Sequence, residues 1–258
     1  MKENITQKLA DYFDIPKELL PFLPELFSDL WELGSSTDII IDWIRLTNLQ
    51  SNARVLDLGC GKGPVSIKLA KEFGFNVLGI DFFEPFIIEA KKKAKDYGVS
   101  ELCRFECDDM RNRLKSEVDY DVVIYSAIGN VLGTVERWIK KLRKTIRGGG
   151  FMLIDDGFKK TDKGINLSGY EHYVPYEETI RQLTVCGDKI IQEKIFSRDE
   201  MKMMNDRNTE LISKRVKDLA GKYPKLADKF YELLEMEKQE CQILENDIPG
   251  AMWLIQKS

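Results

Sequence analysis

Residues 55–63 read VLDLGCGKG and residues 77–81 read VLGID. An apolar strand runs through Asp57 into a loop with Gly59, Gly61 and Gly63, and Pro64 then suits the first turn of a helix, where its missing N–H costs nothing. Glycines let the backbone turn sharply and approach a ligand closely. The helix start offers unpaired N–H groups and a positive dipole end. The second apolar strand ends in Asp81, 22 residues beyond Gly59. An acid at that strand tip can accept hydrogen bonds from two ribose hydroxyls. Together the two stretches describe a pocket for a nucleoside.

A dinucleotide site wants G-x-G-x-x-G, and the third glycine would fall at Pro64. The pattern here is G-x-G-x-G, with Asp57 two residues ahead of it. This resembles motif I of the class I S-adenosylmethionine-dependent methyltransferases. VLGID resembles the family's second motif, which implies Asp81 as the ribose acid with Phe82 beside the adenine. CRFECDDM (residues 103–110) resembles the third, which implies an acid at the adenine amino group. Asp109 aligns best with that acid, although Asp108 exchanges with it readily; Met110 would pack near the ring. YDVVIYSAIGN (residues 120–130) resembles the fourth strand and its exit, where Ser126 joins Asp57, Gly59, Cys60, Gly61 and Gly63 in the expected cofactor-binding set. RKTIRGGGFMLIDD (residues 143–156) resembles the turn into the fifth strand. The resemblance covers residues 53–156 and is weak outside them.

Alternating strands (near 54–58, 76–81, 103–107, 120–125 and 150–155) and helices (near 64–73, 84–97 and 134–145) predict parallel pairing with right-handed crossovers. The expected fold is α/β: a doubly wound, mostly parallel, seven-stranded Rossmann-like sheet with N-terminal helices and a helical insert before the last strand. Residues 1–50 read as a helical segment and 51–258 as the methyltransferase domain. Helical spacing links Leu19, Leu20, Leu23, Leu26, Leu30 and Leu33, with Pro16, Pro21 and Pro24 limiting where that helix starts. Thr37 or Ser36 is a candidate cap for the next helix, with Ile39, Ile40 and Trp43 on its buried side. After Gly157, residues 176–185 read as a helix or as one arm of a hairpin around Gly187. Residues 198–246 read as long helices broken near Gly221 and Pro224, and AMWLIQK (251–257) as a closing strand. In the insert, Leu211, Ile212, Val216, Leu219 and Ala220 form one apolar face, and Phe230, Leu233, Leu234 and Met236 another. The family's sheet usually ends in a short hairpin, so an interruption of about 50 residues here is a departure from it. The insert suits a lid or a homodimer surface as well as packing on its own domain.

The 258 residues carry 43% hydrophobic and 32% charged side chains, as a globular chain does. The formal net charge of −4 makes nucleic acid an unlikely partner, since such binding relies on clustered Lys and Arg. KKKAK (residues 91–95) reads as a solvated helix face. No apolar run approaches the roughly 18 residues that span a bilayer, and MKENITQKLADYF has no signal-type apolar core. Five scattered cysteines predict reduced thiols in a cytoplasm. With His172 as the only histidine, and Cys103 and Cys107 four apart with no second pair to join them, no metal is expected; Asp155 and Asp156 could hold one, but a strand-end acid pair reads as a solvated turn.

In-line methyl transfer to a small-molecule acceptor needs positioning and water exclusion more than acid–base chemistry, so no catalytic residue is assigned. The acceptor should lie near Ser126, Asn130 and Asp155. SAIG lacks the D/N-P-P-Y/F motif of the family's DNA and protein amine modifiers. GYEHYVPY (169–176) offers a candidate acceptor wall with His172 as base, or a tyrosine-rich edge with a structural histidine. Tyr12, Phe13 and Trp31 are candidates to close over the cofactor and serve equally as core. The competing classes are a nucleotide-dependent oxidoreductase, against which Pro64 and Asp57 speak, and a non-catalytic cofactor- or partner-binding module.

Overall fold

The computed structural model describes residues 7, 9, 10, 13, 15–161, 165 and 170–258. Tyr12 and Gly169 lie outside the described residues. The chain divides into two compact units, one of Met1–Trp31 with Arg198–Asn246, the other of Glu32–Ser197 with Asp247–Ser258.

The second unit is built on seven strands: β1 (Arg54–Leu58), β2 (Asn76–Asp81), β3 (Cys103–Cys107), β4 (Tyr120–Ser126), β5 (Ile146–Gly157), β6 (Lys189–Ile195) and β7 (Gly250–Gln256). Their order is β3-β2-β1-β4-β5-β7-β6. The first five pair in parallel, and β7 lies antiparallel to both β5 and β6. Helices Pro64–Phe73, Glu84–Asp96 and Val135–Thr145 follow β1, β2 and β4. The whole of β4 is buried, as a central strand covered on both faces must be, while β6 alternates between exposed and half-buried positions, as an edge does. The expected doubly wound sheet is therefore observed, with the order in which strands are added reversing at the β1–β4 step. Such a reversal opens a crevice at the carboxyl ends of the strands.

The ending also follows expectation. β6 and β7 are neighbours in space, yet the helices Arg198–Lys222 and Ala227–Asp247 lie between them in sequence. Between β5 and β6 the chain forms the helix Tyr176–Leu183, which excludes the hairpin alternative. Trp253 of β7 is fully buried, and its Nε1 donates to Glu193 of β6 at 2.6 Å.

Three expectations need correction. No continuous helix joins Leu19 to Leu33. Residues Lys17–Phe22 form a 3-10 turn and Leu23–Leu26 a single α turn, because Pro21 and Pro24 remove amide donors and clash with the preceding turn. In the helix Thr37–Arg45, the buried residues are Ile40, Ile41 and Ile44, with Ile39 and Trp43 only half-buried. In the insert, Phe230 and Leu234 are buried but Met236 is exposed. The run at residues 91–95 places Lys91, Lys92 and Lys95 in solvent and Ala94 inside.

In the helical unit the early chain and the insert pack on each other. Leu19, Leu23, Leu26, Val216, Leu219 and Phe230 are buried. Phe22 meets the rings of Tyr223 and Phe230 edge-on at 4.8 and 5.2 Å. Arg215 holds Asp29 through two nitrogens, at 2.8 and 2.5 Å. Phe13 and Trp31 belong to this unit.

Gly63 shows how tightly the sheet domain constrains its loop. It adopts φ +75°, and a Cβ there would meet the Phe105 ring at 2.8 Å. Gly63→Ala is expected to lower stability by about 1–3 kcal/mol, from left-handed strain and overpacking together. Thermal unfolding followed by circular dichroism measures it.

Candidate functional site

The loop after β1 is shaped by glycines and held by β2. Gly59, Gly61 and Gly63 all take positive φ. Gly59 N and Cys60 N donate to Ile80 O at 2.7 and 3.0 Å. Gly61 N donates to Asp81 Oδ2 at 2.9 Å, and Phe83 N donates to Asp81 Oδ1 at 2.8 Å. Asp81 thus fastens the loop and orders its own strand exit, while each carboxylate oxygen keeps a second lone pair for a ligand. Burial pushes the Asp81 carboxyl up from its usual range, and the Phe83 and Gly61 amides oppose that.

Asp57 and Cys60 face inward. Ser66 Oγ donates to Asp57 Oδ2 at 2.6 Å, tying β1 to the helix Pro64–Phe73. The Cys60 side chain is buried beside Gly79, where a Cβ would stand 3.0 Å from its sulfur. Burial raises its thiol well above the ordinary range. The side chains of these two residues therefore act on the loop from beneath.

β3 delivers the second acidic group. Asp108 N donates to Asp81 O at 3.0 Å, which places the Asp108–Asp109 pair beside the β2 exit. Asp109 caps the short helix Met110–Arg113, accepting from Arg111 N at 2.9 Å, and its carboxylate also meets the Arg111 guanidinium. Asp108 Oδ1 accepts from Asp109 N at 2.7 Å. Both acids stand where β3 ends and the short helix begins. Phe82 is half-buried next to Asp81.

The acids and apolar side chains around the loop have the chemistry an adenosyl group requires. A Cβ on Gly59 would meet Ile128 at 2.9 Å and Met110 at 3.6 Å, and one on Gly61 would meet Leu33 at 3.1 Å. Glycine backbone is therefore covered closely by the apolar side chains of Leu33, Met110 and Ile128, near the Asp81 and Asp108–Asp109 carboxylates. A ribose wants the acid and a purine wants the apolar walls. A pyrophosphate is served poorly. Lys62 of the loop is fully buried, 3.1 Å from Glu89, and Asp57 lies directly beneath.

The other end of the crevice holds oxygen atoms. Ser126 on β4 is the register partner of Asp155 on β5, and its Oγ donates to Asp155 Oδ2 at 3.1 Å. The Ser35 hydroxyl bonds that of Ser126. Burial pushes Asp155 up to about 7. Asp156 is raised to about 6, again by burial, with the Tyr173 hydroxyl donating to it and opposing the shift. Tyr173 stacks on Tyr170 at 5.7 Å and lies 4.1 Å from the His172 ring. Asn130 is exposed beyond β4. Among the described residues no three His, Cys, Asp or Glu side chains group as metal ligands would.

Sequence reasoning passed over Leu33, Ser35, Lys62 and Ile128. Leu33 and Ser35 carry no local motif, since both reach the site across a long stretch of chain. The segment that carries them is pinned by Lys68, which bonds Glu32 at 3.1 Å and Asp38 at 3.0 Å.

Asp57 makes the loop's stability pH-dependent. Burial raises its carboxyl from 3.8 to about 6, against the lowering effect of Ser66. Because the folded value exceeds the unfolded one, this contribution is full below about pH 4 and is lost as pH rises through about 6. Relative to Asp57→Asn, the wild-type chain should lose on the order of 2–3 kcal/mol across that window. Urea unfolding at a series of pH values reads the difference.

Residues 49–208 match the family described as a methyltransferase domain. A malonyl-[acyl-carrier protein] O-methyltransferase of Bacillus cereus is 24% identical over 152 residues, which are 58% of this chain and 52% of the relative. A 2-methyl-6-phytyl-1,4-hydroquinone methyltransferase of Synechocystis is 28% identical over 130 residues, 50% of this chain and 40% of the relative. The chain thus spans about half the length of these relatives. In fold it is similar to a methyltransferase of Geobacter sulfurreducens solved with S-adenosyl-L-homocysteine, with TM-score 0.79 and 18% identity over 92% of this chain and 98% of that one. The glycine loop tied to Asp81, the sheet order and the family match agree: the chain belongs to the class I S-adenosylmethionine-dependent methyltransferases.

Proposed function

We propose that this chain transfers the methyl group of S-adenosylmethionine to a small-molecule acceptor. One observation carries the reading: the left-handed glycine loop, fastened through Gly61 N to Asp81, is covered by apolar side chains at the point where the strand order reverses. In this reading Asp81 accepts from the ribose hydroxyls and Asp109, or its neighbour Asp108, meets the adenine amino group. Phe82, Met110 and Ile128 flank the ring. The cofactor, when bound, supplies a methyl group already activated by its positive sulfur. The residues of the chain orient that group and keep water away, and Leu33 and Ile128 contribute apolar cover beside the loop. Alignment of two reactants can be worth about 7–11 kcal/mol.

The two sequence relatives are named for different acceptors, a malonyl group borne on acyl-carrier protein and a phytyl hydroquinone. Residues 51–258 are assigned to the methyltransferase domain, with a helical insert at about 198–246 that offers a surface for a homodimer. Among the described residues no helix is long and apolar enough to cross a membrane. All five cysteines are free thiols, which supports a cytoplasmic setting.

Calorimetry tests the reading. Micromolar binding of S-adenosylmethionine and S-adenosylhomocysteine is expected, with none of NAD; binding of NAD alone would overturn it. Asp81→Ala should weaken S-adenosylhomocysteine binding by about 1–3 kcal/mol, the cost of losing charged hydrogen bonds. Asp81→Asn, which keeps one acceptor oxygen, should fall between the two. An unchanged affinity in both variants would remove Asp81 from the ribose role.

A further inference from the structure

The carboxyl ends of β4 and β5 carry a chain of oxygen atoms for which cofactor binding has no need. It runs from the Ser35 hydroxyl to Ser126 Oγ and on to Asp155 Oδ2, the last step 3.1 Å long. The backbone fixes both ends of that step. Ser126 and Asp155 are paired across the sheet, and Ala127 N donates to Asp155 O at 2.9 Å. Ala127 adopts φ +52°, a conformation that non-glycine residues seldom take. Gly34 backs it closely, since a Cβ on Gly34 would stand 2.9 Å from the Ala127 Cβ. Strain of this kind persists where the surroundings over-determine it, and it clusters at functional sites. Its effect here is to turn the chain sharply after Ser126, at the rim of the crevice that holds the glycine loop.

The surroundings of Asp155 are acidic or neutral. Asp156 follows it on β5 and receives the Tyr173 hydroxyl. β4 contributes Ser126 and the early segment contributes Ser35. Its register partner on β7 is the neutral Met252. Among the described residues no lysine, arginine or histidine forms an ion pair with Asp155. A general base works best when its pKa lies near the operating pH, and burial brings Asp155 to about 7.

The geometry points to Asp155 as the proton acceptor for the methyl-accepting group, with Ser126 Oγ passing the proton, and so to an acceptor whose nucleophilic atom enters the site carrying a proton. This inference rests on the methyl-transfer reading above. The electron pair of the acceptor atom forms the new bond to the methyl carbon, and the pair of the broken carbon–sulfur bond returns to sulfur. The acceptor's proton passes to Ser126 Oγ as the Ser126 proton passes to Asp155 Oδ2. Asp155 then releases that proton to solvent. Ser126, expected from sequence among the cofactor residues, takes its place on the acceptor side.

The test needs no acceptor. Sinefungin, a cofactor analogue with a primary amine where the methyl-bearing sulfur would be, places an ammonium group beside the acceptor position. Calorimetry compares it with S-adenosylhomocysteine between pH 5.5 and 8.5, so that effects common to both ligands cancel. In the wild-type protein the preference for sinefungin should grow about tenfold as Asp155 ionises, with a midpoint near 7. Asp155→Asn should flatten that profile and leave S-adenosylhomocysteine affinity within about twofold. Ser126→Ala removes a hydrogen bond that favours the carboxylate, so it should keep the profile and move its midpoint upward. That variant keeps the inference testable if Asp155→Asn does not fold. A pH-independent preference in the wild-type protein, or a profile that survives in Asp155→Asn or keeps its midpoint in Ser126→Ala, would overturn the role. Failure of both ligands to bind the wild-type protein would instead remove the methyl-transfer reading on which it rests.

Discussion

Three successive amides of the loop after β1 donate to the end of β2: those of Gly59 and Cys60 to Ile80 O, and that of Gly61 to the Asp81 carboxylate. This tie turns a flexible, glycine-rich sequence into a fixed surface. The amides of Gly59, Cys60 and Gly61 are spent inside the protein. Asp81 holds the loop and orders its own strand exit at once, accepting from Gly61 N and Phe83 N. The glycines then serve two purposes. Gly63 and Gly79 make room beneath for Phe105, while Gly59 and Gly61 let Ile128, Met110 and Leu33 approach closely from the upper side.

The crevice has two ends of different chemistry. At the β2–β3 side, Asp81 and Asp108–Asp109 border apolar walls. At the β4–β5 side, hydroxyls and half-buried carboxyls predominate. Burial raises the Asp155 and Asp156 carboxyls at the second end, to about 7 and about 6. Their protonation therefore varies within the range where an enzyme works, which carboxylates in water do not do. The segment Glu32–Ser36 spans both ends. Leu33 covers Gly61, Gly34 abuts Ala127 and Ser35 bonds Ser126, with Lys68 pinning the segment through Glu32 and Asp38.

Most of the sheet domain was legible in the chain itself. Strand and helix boundaries from Arg54 to Asp156 fall within a few residues of their expected places, because short apolar strands and helices opened by Pro64 or Pro85 leave local signals. Local signals misled where prolines were frequent. Helical spacing from Leu19 to Leu33 satisfied a periodicity that Pro21 and Pro24 made impossible as one helix. Met236 kept the spacing of its helix but ended on the exposed side, since periodicity finds a face without fixing how much of it another element covers.

The sequence by itself determined the β1–β2 end of the crevice. Glycine positions, Pro64 and the acid at the tip of the next strand are local properties of backbone and spacing, and they survive into the fold with few alternatives. Tertiary structure decided the β4–β5 end. Ser35, Ser126 and Asp155 are distant in sequence and individually ordinary, and only parallel pairing of β4 with β5 and the return of the early segment bring their oxygens together. Tertiary structure also decided that the Asp57 and Cys60 side chains face inward, because the direction of a side chain in a loop follows from what packs beneath it. Burial, which sets the charge of Asp155, belongs to the assembled crevice and to no stretch of residues within it.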